Sequence, residues 1–118
     1  MNKTTLEQYW IKTAFFDALT TNKNQIFLSA SPDDSDRLQQ YFQETSKLSG
    51  ISLLSNPFEL PNGAKLFFLS LDNRASMGLS GNAYAINCFD ESNFSDVYQL
   101  VSSWTVLNKH KAIFASEL

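Results

Sequence analysis

Residues 25–34 read QIFLSASPDD, and this stretch decides the fold class. Its first half, Gln25 to Ser29, is a short apolar run of the kind found where both faces of a parallel sheet are covered. Its second half starts a helix: Ser31 is placed to cap it, Pro32 pre-sets the dihedral of the first turn, and Asp33 and Asp34 put negative charge beside the free N–H groups. Downstream, Leu38, Tyr41, Phe42, Thr45 and Leu48 form the stripe expected to be buried, and Gly50 ends the helix because it takes a left-handed conformation at little cost.

Working outward, Leu6, Tyr9, Trp10, Thr13, Phe16 and Leu19 recur at helical spacing before the strand, which predicts a helix over residues 4–19 with those side chains on its buried face. Residues 51–54 and 58–60 are expected as short strands, and Pro61-Asn62-Gly63 as a turn leading into a return limb, KLFFLSL, over residues 65–71. The polar loop DNRASMGLSG separates this hairpin from a strand expected over residues 82–89. Phe94, Val97, Tyr98, Val101, Trp104 and Leu107 then make a helical stripe, and Ala112 to Ala115 a last apolar strand. Helices repeatedly separate strands, so the order argues for a parallel or mixed sheet covered by helices.

Composition narrows the function. The 118 residues include 9 basic and 12 acidic side chains, a formal charge of −3 that provides no drive toward a phosphate backbone, so nucleic-acid binding by this chain alone is disfavoured. One cysteine excludes an internal disulfide; one cysteine with one histidine excludes a structural zinc site. The sequence has no apolar run of membrane-spanning length and no signal segment, so a cytoplasmic, non-membrane protein is expected, organised as one domain over residues 1–118.

The run PNGAKLFFLS at 61–70, the pair Asn73-Arg74 and the segment SGNAY at 80–84 together resemble the ATPase core of tailed-phage terminase large subunits. The likeness is ungapped, extending upstream through FFDALTTNKNQIFLSAS at 15–31 and downstream to KAIFAS at 111–116. It implies an α/β fold: a three-layer, partial P-loop-NTPase-like sheet, mostly parallel with an added hairpin, from which the phosphate-loop strand is missing.

The motifs that burn nucleotide in that family are not matched. A phosphate loop needs glycines, a lysine and a hydroxyl residue, whereas residues 1–8 hold no glycine and Lys3-Thr4-Thr5 reads as an exposed helix start. The family's acidic pair falls, counted without gaps from Gly81 or back from Phe94, on Ile86 and Asn87, neither of which holds magnesium or orients water. A slip of four residues would put Asp90 and Glu91 there instead. Arg74 matches a loop basic residue of the family, but a solvated arginine is the default.

Other chemistry-bearing residues read as structural. Gly78-Leu79-Ser80-Gly81 lacks the order of a nucleophile turn and is expected to be a simple turn. Cys88 is expected to pack in the core, with His110 beyond the next helix. Lys109, His110 and Lys111 complement a helix C-terminus and guard a strand edge.

The resemblance thus implies no enzyme and no cofactor, but a non-catalytic, terminase-like interaction module from a prophage or other mobile element that interferes with or regulates DNA packaging. Its expected interaction edge is Ala112, Ile113, Phe114 and Ala115, open to a partner protein or to a second copy in a homo-oligomer. The competing readings are a divergent nucleotide-binding ATPase domain using Asp90, Glu91 and Arg74, and a folded gene remnant with no specific activity.

Overall fold

The computed structural model describes residues 2–55, 58–72 and 78–117. Along the chain these form α1 (Lys3–Thr21), β1 (Gln25–Ser29), α2 (Pro32–Leu48), β2 (Leu54–Ser55), β3 (Phe58–Glu59), β4 (Lys65–Ser70), β5 (Asn82–Ile86), α3 (Phe94–Thr105) and β6 (Ala112–Ala115). The strands make one mixed sheet in the order β2-β3-β4-β1-β5-β6. The run from β4 to β6 is parallel throughout, and β2 and β3 add to it antiparallel.

Alternation along the central strands divides the interior into two cores. Phe27, Leu66, Tyr84 and Ile86 point to one face, where they meet Ile11, Ala14, Phe15 and Ala18 of α1 and Leu38 and Phe42 of α2. Ile26, Leu28, Ala83 and Ala85 point to the other, against Val97, Val101 and Trp104 of α3. Helices therefore cover both faces, and β1 and β5 are buried along their whole length, as the unbroken apolar run QIFLS requires.

Local signals explain the boundaries. Ser31 caps α2 by accepting the Asp34 N–H at 3.2 Å, with Pro32 in the first turn. Gly50, at φ +71, turns the chain so that the Gly50 and Ile51 amides bond back to the Lys47 and Ser46 carbonyls. In the hairpin between β3 and β4, Gly63 takes φ +92 while Asn62 accepts the Ala64 N–H and donates to the Ala18 carbonyl of α1. The expected turn at Gly78-Leu79-Ser80-Gly81 has a further constraint: a Cβ on Gly81 would lie 2.5 Å from the Asn24 carbonyl oxygen.

Several expectations are corrected. The buried face of α1 is Leu6, Glu7, Ile11, Ala14, Phe15 and Ala18, while Tyr9 and Phe16 stand 53% and 68% exposed. This helix is apolar on two sides, and the side bearing Ala14 and Ala18 is the one that seats on the sheet. Glu7 is carried inward because Arg37 of α2 grips both its oxygens, at 2.9 and 2.7 Å. Leu48, in the last turn of α2, is 89% exposed, and Ser46 is buried instead, donating its hydroxyl to the Ile51 carbonyl. Of residues 51–54 only Leu54 enters a strand, and β3 ends at Glu59. β5 stops at Ile86 and not at Phe89, because Asn87 adopts φ +51 and swings the chain out of the sheet. In α3 the stripe is only half buried: Val97, Val101 and Trp104 pack, Phe94 and Tyr98 remain exposed, and Leu107 lies beyond the helix end.

Candidate functional site

The carboxyl ends of parallel strands are where open α/β sheets usually place their chemistry, so the end of β5 comes first. Ile86 is buried in the core beneath α1. Asn87 is occupied structurally: its N–H donates to the Ala115 carbonyl at 2.8 Å, and its side-chain Oδ1 accepts the Glu117 N–H at 3.0 Å. The left-handed backbone that lets it do both is one that asparagine tolerates better than most residues. Ile86 and Asn87 thus fasten β6 to β5 and bring no carboxylate to the strand end.

Asp90 and Glu91 lie past the bend. Asp90 Oδ1 accepts from the Ser92 amide, the Ser92 hydroxyl and the Asn93 amide at 2.8, 2.6 and 3.1 Å, which organises the turn ahead of α3. Those hydrogen bonds, the Ser92 hydroxyl's first, hold its carboxyl below the usual range although the group is exposed. Both carboxylates border an open hollow of ≈ 730 Å³ walled by Phe89, Phe94 and Ser116.

Cys88 is buried, and burial pushes its thiol up to about 12, so it is a poor nucleophile. It follows the carboxyl end of β5, whereas His110 precedes the amino end of β6; the two strands are parallel, which puts these residues at opposite ends of the sheet. The His110 amide closes the end of α3 on the Thr105 carbonyl at 2.9 Å, and its ring Nε2 is 3.2 Å from the Ser80 hydroxyl. Burial, then the charge of Lys23, lowers the imidazole's proton affinity. The Lys111 amide donates to Asn82 Oδ1 at 2.8 Å, and its ammonium lies 3.7 Å from Asp17. Arg74 falls outside the described residues. Among the described residues no three histidine, cysteine or carboxylate side chains come together to hold a metal ion, and no helix is long and apolar enough to cross a membrane.

The expected edge residues do lie together. Ala112 to Ala115 pair in parallel with residues 83–86 of β5, and β6 is the last strand of the sheet among the described residues. The Lys111 and Ala115 carbonyls accept bonds from the Ala83 and Asn87 amides, and the Glu117 N–H also turns inward to Asn87. Backbone groups alternate along an extended strand, so those of Ala112, Phe114 and Ser116 point away from the sheet.

Aromatic side chains overhang this edge on both faces. On the α1 side, a hollow of ≈ 340 Å³ lies between Trp10 and Phe16 of the helix and Ile113 of the strand. On the α3 side, Phe114 packs against Phe94 and Tyr98 at centroid distances of 5.3 and 5.9 Å. Tyr9, Phe16, Phe94 and Tyr98 are the residues that helical periodicity assigns to the core. The signal in the sequence is the excess: α1 and α3 carry more apolar surface than one sheet face can cover.

Residues 9–116 match the family described as the terminase large subunit, T4likevirus-type, N-terminal. The chain is 39% identical over 77 residues to the probable terminase, ATPase subunit, of Haemophilus phage HP1, covering 64% of this chain and 13% of that protein. It is 33% identical over 95 residues to the terminase, ATPase subunit, of Escherichia phage P2, covering 80% of this chain and 16% of that protein. The chain therefore spans no more than about a sixth of the length of these curated relatives.

Proposed function

The chain belongs to the terminase large-subunit N-terminal family, and from that premise we propose that its 118 residues act as a non-catalytic recognition module. The module binds protein through the edge of β6, and its setting is interference with, or regulation of, phage DNA packaging, encoded by a prophage or other mobile element. Within a packaging motor, a subunit surface that keeps its shape but lacks chemistry would occupy a neighbour and stall assembly.

The observation that carries this reading is the end of β5. Nucleotide hydrolysis is almost entirely positioning and charge stabilisation, which requires carboxylates that hold magnesium and direct water beside a cradle for phosphate. Here the strand ends in Ile86 and in an Asn87 committed to β6. These 118 residues also contain no G-x-x-x-x-G-K-[ST] segment.

One feature favours the alternative of a divergent nucleotide-binding domain: Asp90 and Glu91 border the ≈ 730 Å³ hollow beyond the carboxyl ends of β5 and β6. The two readings separate in one experiment. Tagged chain is mixed with an intact terminase large subunit, and both association and ATP turnover by the chain alone are measured. The recognition reading expects micromolar association and no turnover. Turnover that disappears in Asp90→Asn or Glu91→Gln supports the alternative, and absence of association counts against recognition.

A further inference from the structure

We infer that the occupant of the β6 edge is a second copy of this chain, paired antiparallel about Phe114 to make a two-fold symmetric dimer. The inference rests on the edge-binding reading and names the partner.

The geometry limits the ways two such edges can meet. Among the described residues, the Lys111, Ala115 and Glu117 backbones turn inward to β5 and Asn87, and the N–H and C=O groups that this edge presents outward are those of Ala112, Phe114 and Ser116. An antiparallel pairing must therefore set these three against the same three of the other copy. Centring it on Phe114 places Ala112 opposite Ser116, which gives about six new backbone hydrogen bonds across the axis.

Charge selects this register. The edge reads KAIFASE from Lys111 to Glu117, so with Phe114 on the axis the Lys111 of each copy faces the Glu117 of the other, on the α1 side of the sheet. Opposite charges directly across strands stabilise the pair. A shift of the axis to Ile113 sets Lys111 against Ala115, and a shift to Ala115 sets Glu117 against Ile113; both leave the charges unmatched. Between its two charged ends the edge has no proline, charge or bulge, the devices by which exposed strands usually avoid pairing.

The overhanging aromatics fit the same arrangement. Residues directly opposite in an antiparallel pair share a face, so the two Phe114 rings meet on the α3 side. The Tyr98 and Phe94 rings already packed on each Phe114 continue that contact across the axis. On the other face Trp10 and Phe16 of both copies flank the Ile113 side chains.

Sedimentation equilibrium of the 118-residue chain, with circular dichroism to confirm folding, tests this. The expected result is a species of twice 13.3 kDa that dissociates on dilution. Lys111→Glu and Glu117→Lys should each weaken the dimer about tenfold, since each change meets its like charge twice in a symmetric pair, and the double variant should restore it. Ala112→Pro, which removes an outward N–H and leaves the β5 ladder intact, should give folded monomer. A monomeric parent chain overturns the inference; if Ala112→Pro then abolishes capture of a terminase subunit, the edge reading stands with a different occupant. A dimer indifferent to Ala112→Pro and to both charge reversals also overturns it.

Discussion

The N–H of Asn87 donates to the carbonyl of Ala115 at 2.8 Å, and the same asparagine holds the Glu117 amide with its side chain. One residue at the end of β5 thus stitches down the far end of β6, in a left-handed conformation at φ +51.

Replacing Asn87 with Ala keeps that costly backbone and loses the side-chain bond, for an expected loss of about 2 kcal/mol. Gly loses the bond but accepts the backbone, so its loss should be smaller. Thermal unfolding checks the order parent, Asn87→Gly, Asn87→Ala. A drop of several degrees is expected for the alanine variant in a domain of this size.

The ion pair between Glu7 and Arg37 ties α1 to α2. The carboxylate is nearly fully buried and gripped at 2.9 and 2.7 Å, and the hydrogen bond to Glu7 raises the guanidinium above its ordinary range. Arg37→Ala leaves a buried charge without its partner and should cost about 3 kcal/mol in urea unfolding, whereas replacing Glu7 and Arg37 together with Met should recover most of that loss. A cost below about 1 kcal/mol for Arg37→Ala would show that the pair relaxes into solvent.

Gly81 is required by space. A methyl group there meets the Asn24 carbonyl oxygen at 2.5 Å, at the point where the Asn82 amide bonds to that same oxygen. Gly81→Ala should lower stability by about 1–3 kcal/mol, visible as a shifted urea midpoint with an unchanged slope.

Stability should fall in alkali. Burial raises the Cys88 thiol from 9.0 to about 12 and moves the Tyr84 phenol upward as well, the latter helped by the charge of Asp17. Groups whose proton affinity is higher in the folded state contribute fully below their unfolded pKa and lose that contribution as pH rises toward the folded value. The unfolding free energy should therefore be flat to about pH 8.5 and decline above pH 9, by up to about 1.4 kcal/mol per pH unit for each titrating group, which thermal unfolding reads as a falling melting temperature. Cys88→Ala should flatten the first part of that decline. At pH 8 the native thiol should resist disulfide reagents that label it after unfolding.

Where the sequence was legible, local chemistry and tertiary demand agreed. QIFLS and AIFA are strands with their expected bounds because an apolar run between a helix end and a helix start has few alternatives. The α2 cap was legible because Ser31, Pro32 and two aspartates act within one turn. The seating of α1 was not: Tyr9 and Phe16 satisfy helical periodicity as well as Ile11 and Phe15 do, and only the sheet beneath chooses between them. The same ambiguity hid the aromatic flanks of β6. Counting placed Ile86 and Asn87 at the strand end, but the bonds from Asn87 to Ala115 and Glu117 depend on a parallel register that no local pattern encodes.

A thermal shift of the 118-residue chain with magnesium and ATP tests most directly the proposal that the β5 end does not organise phosphate chemistry. The predicted result is an unchanged melting temperature up to millimolar nucleotide. Saturable stabilisation approaching about 2.7 kcal/mol at a hundredfold excess over the dissociation constant, several degrees in a domain of this size, would contradict it.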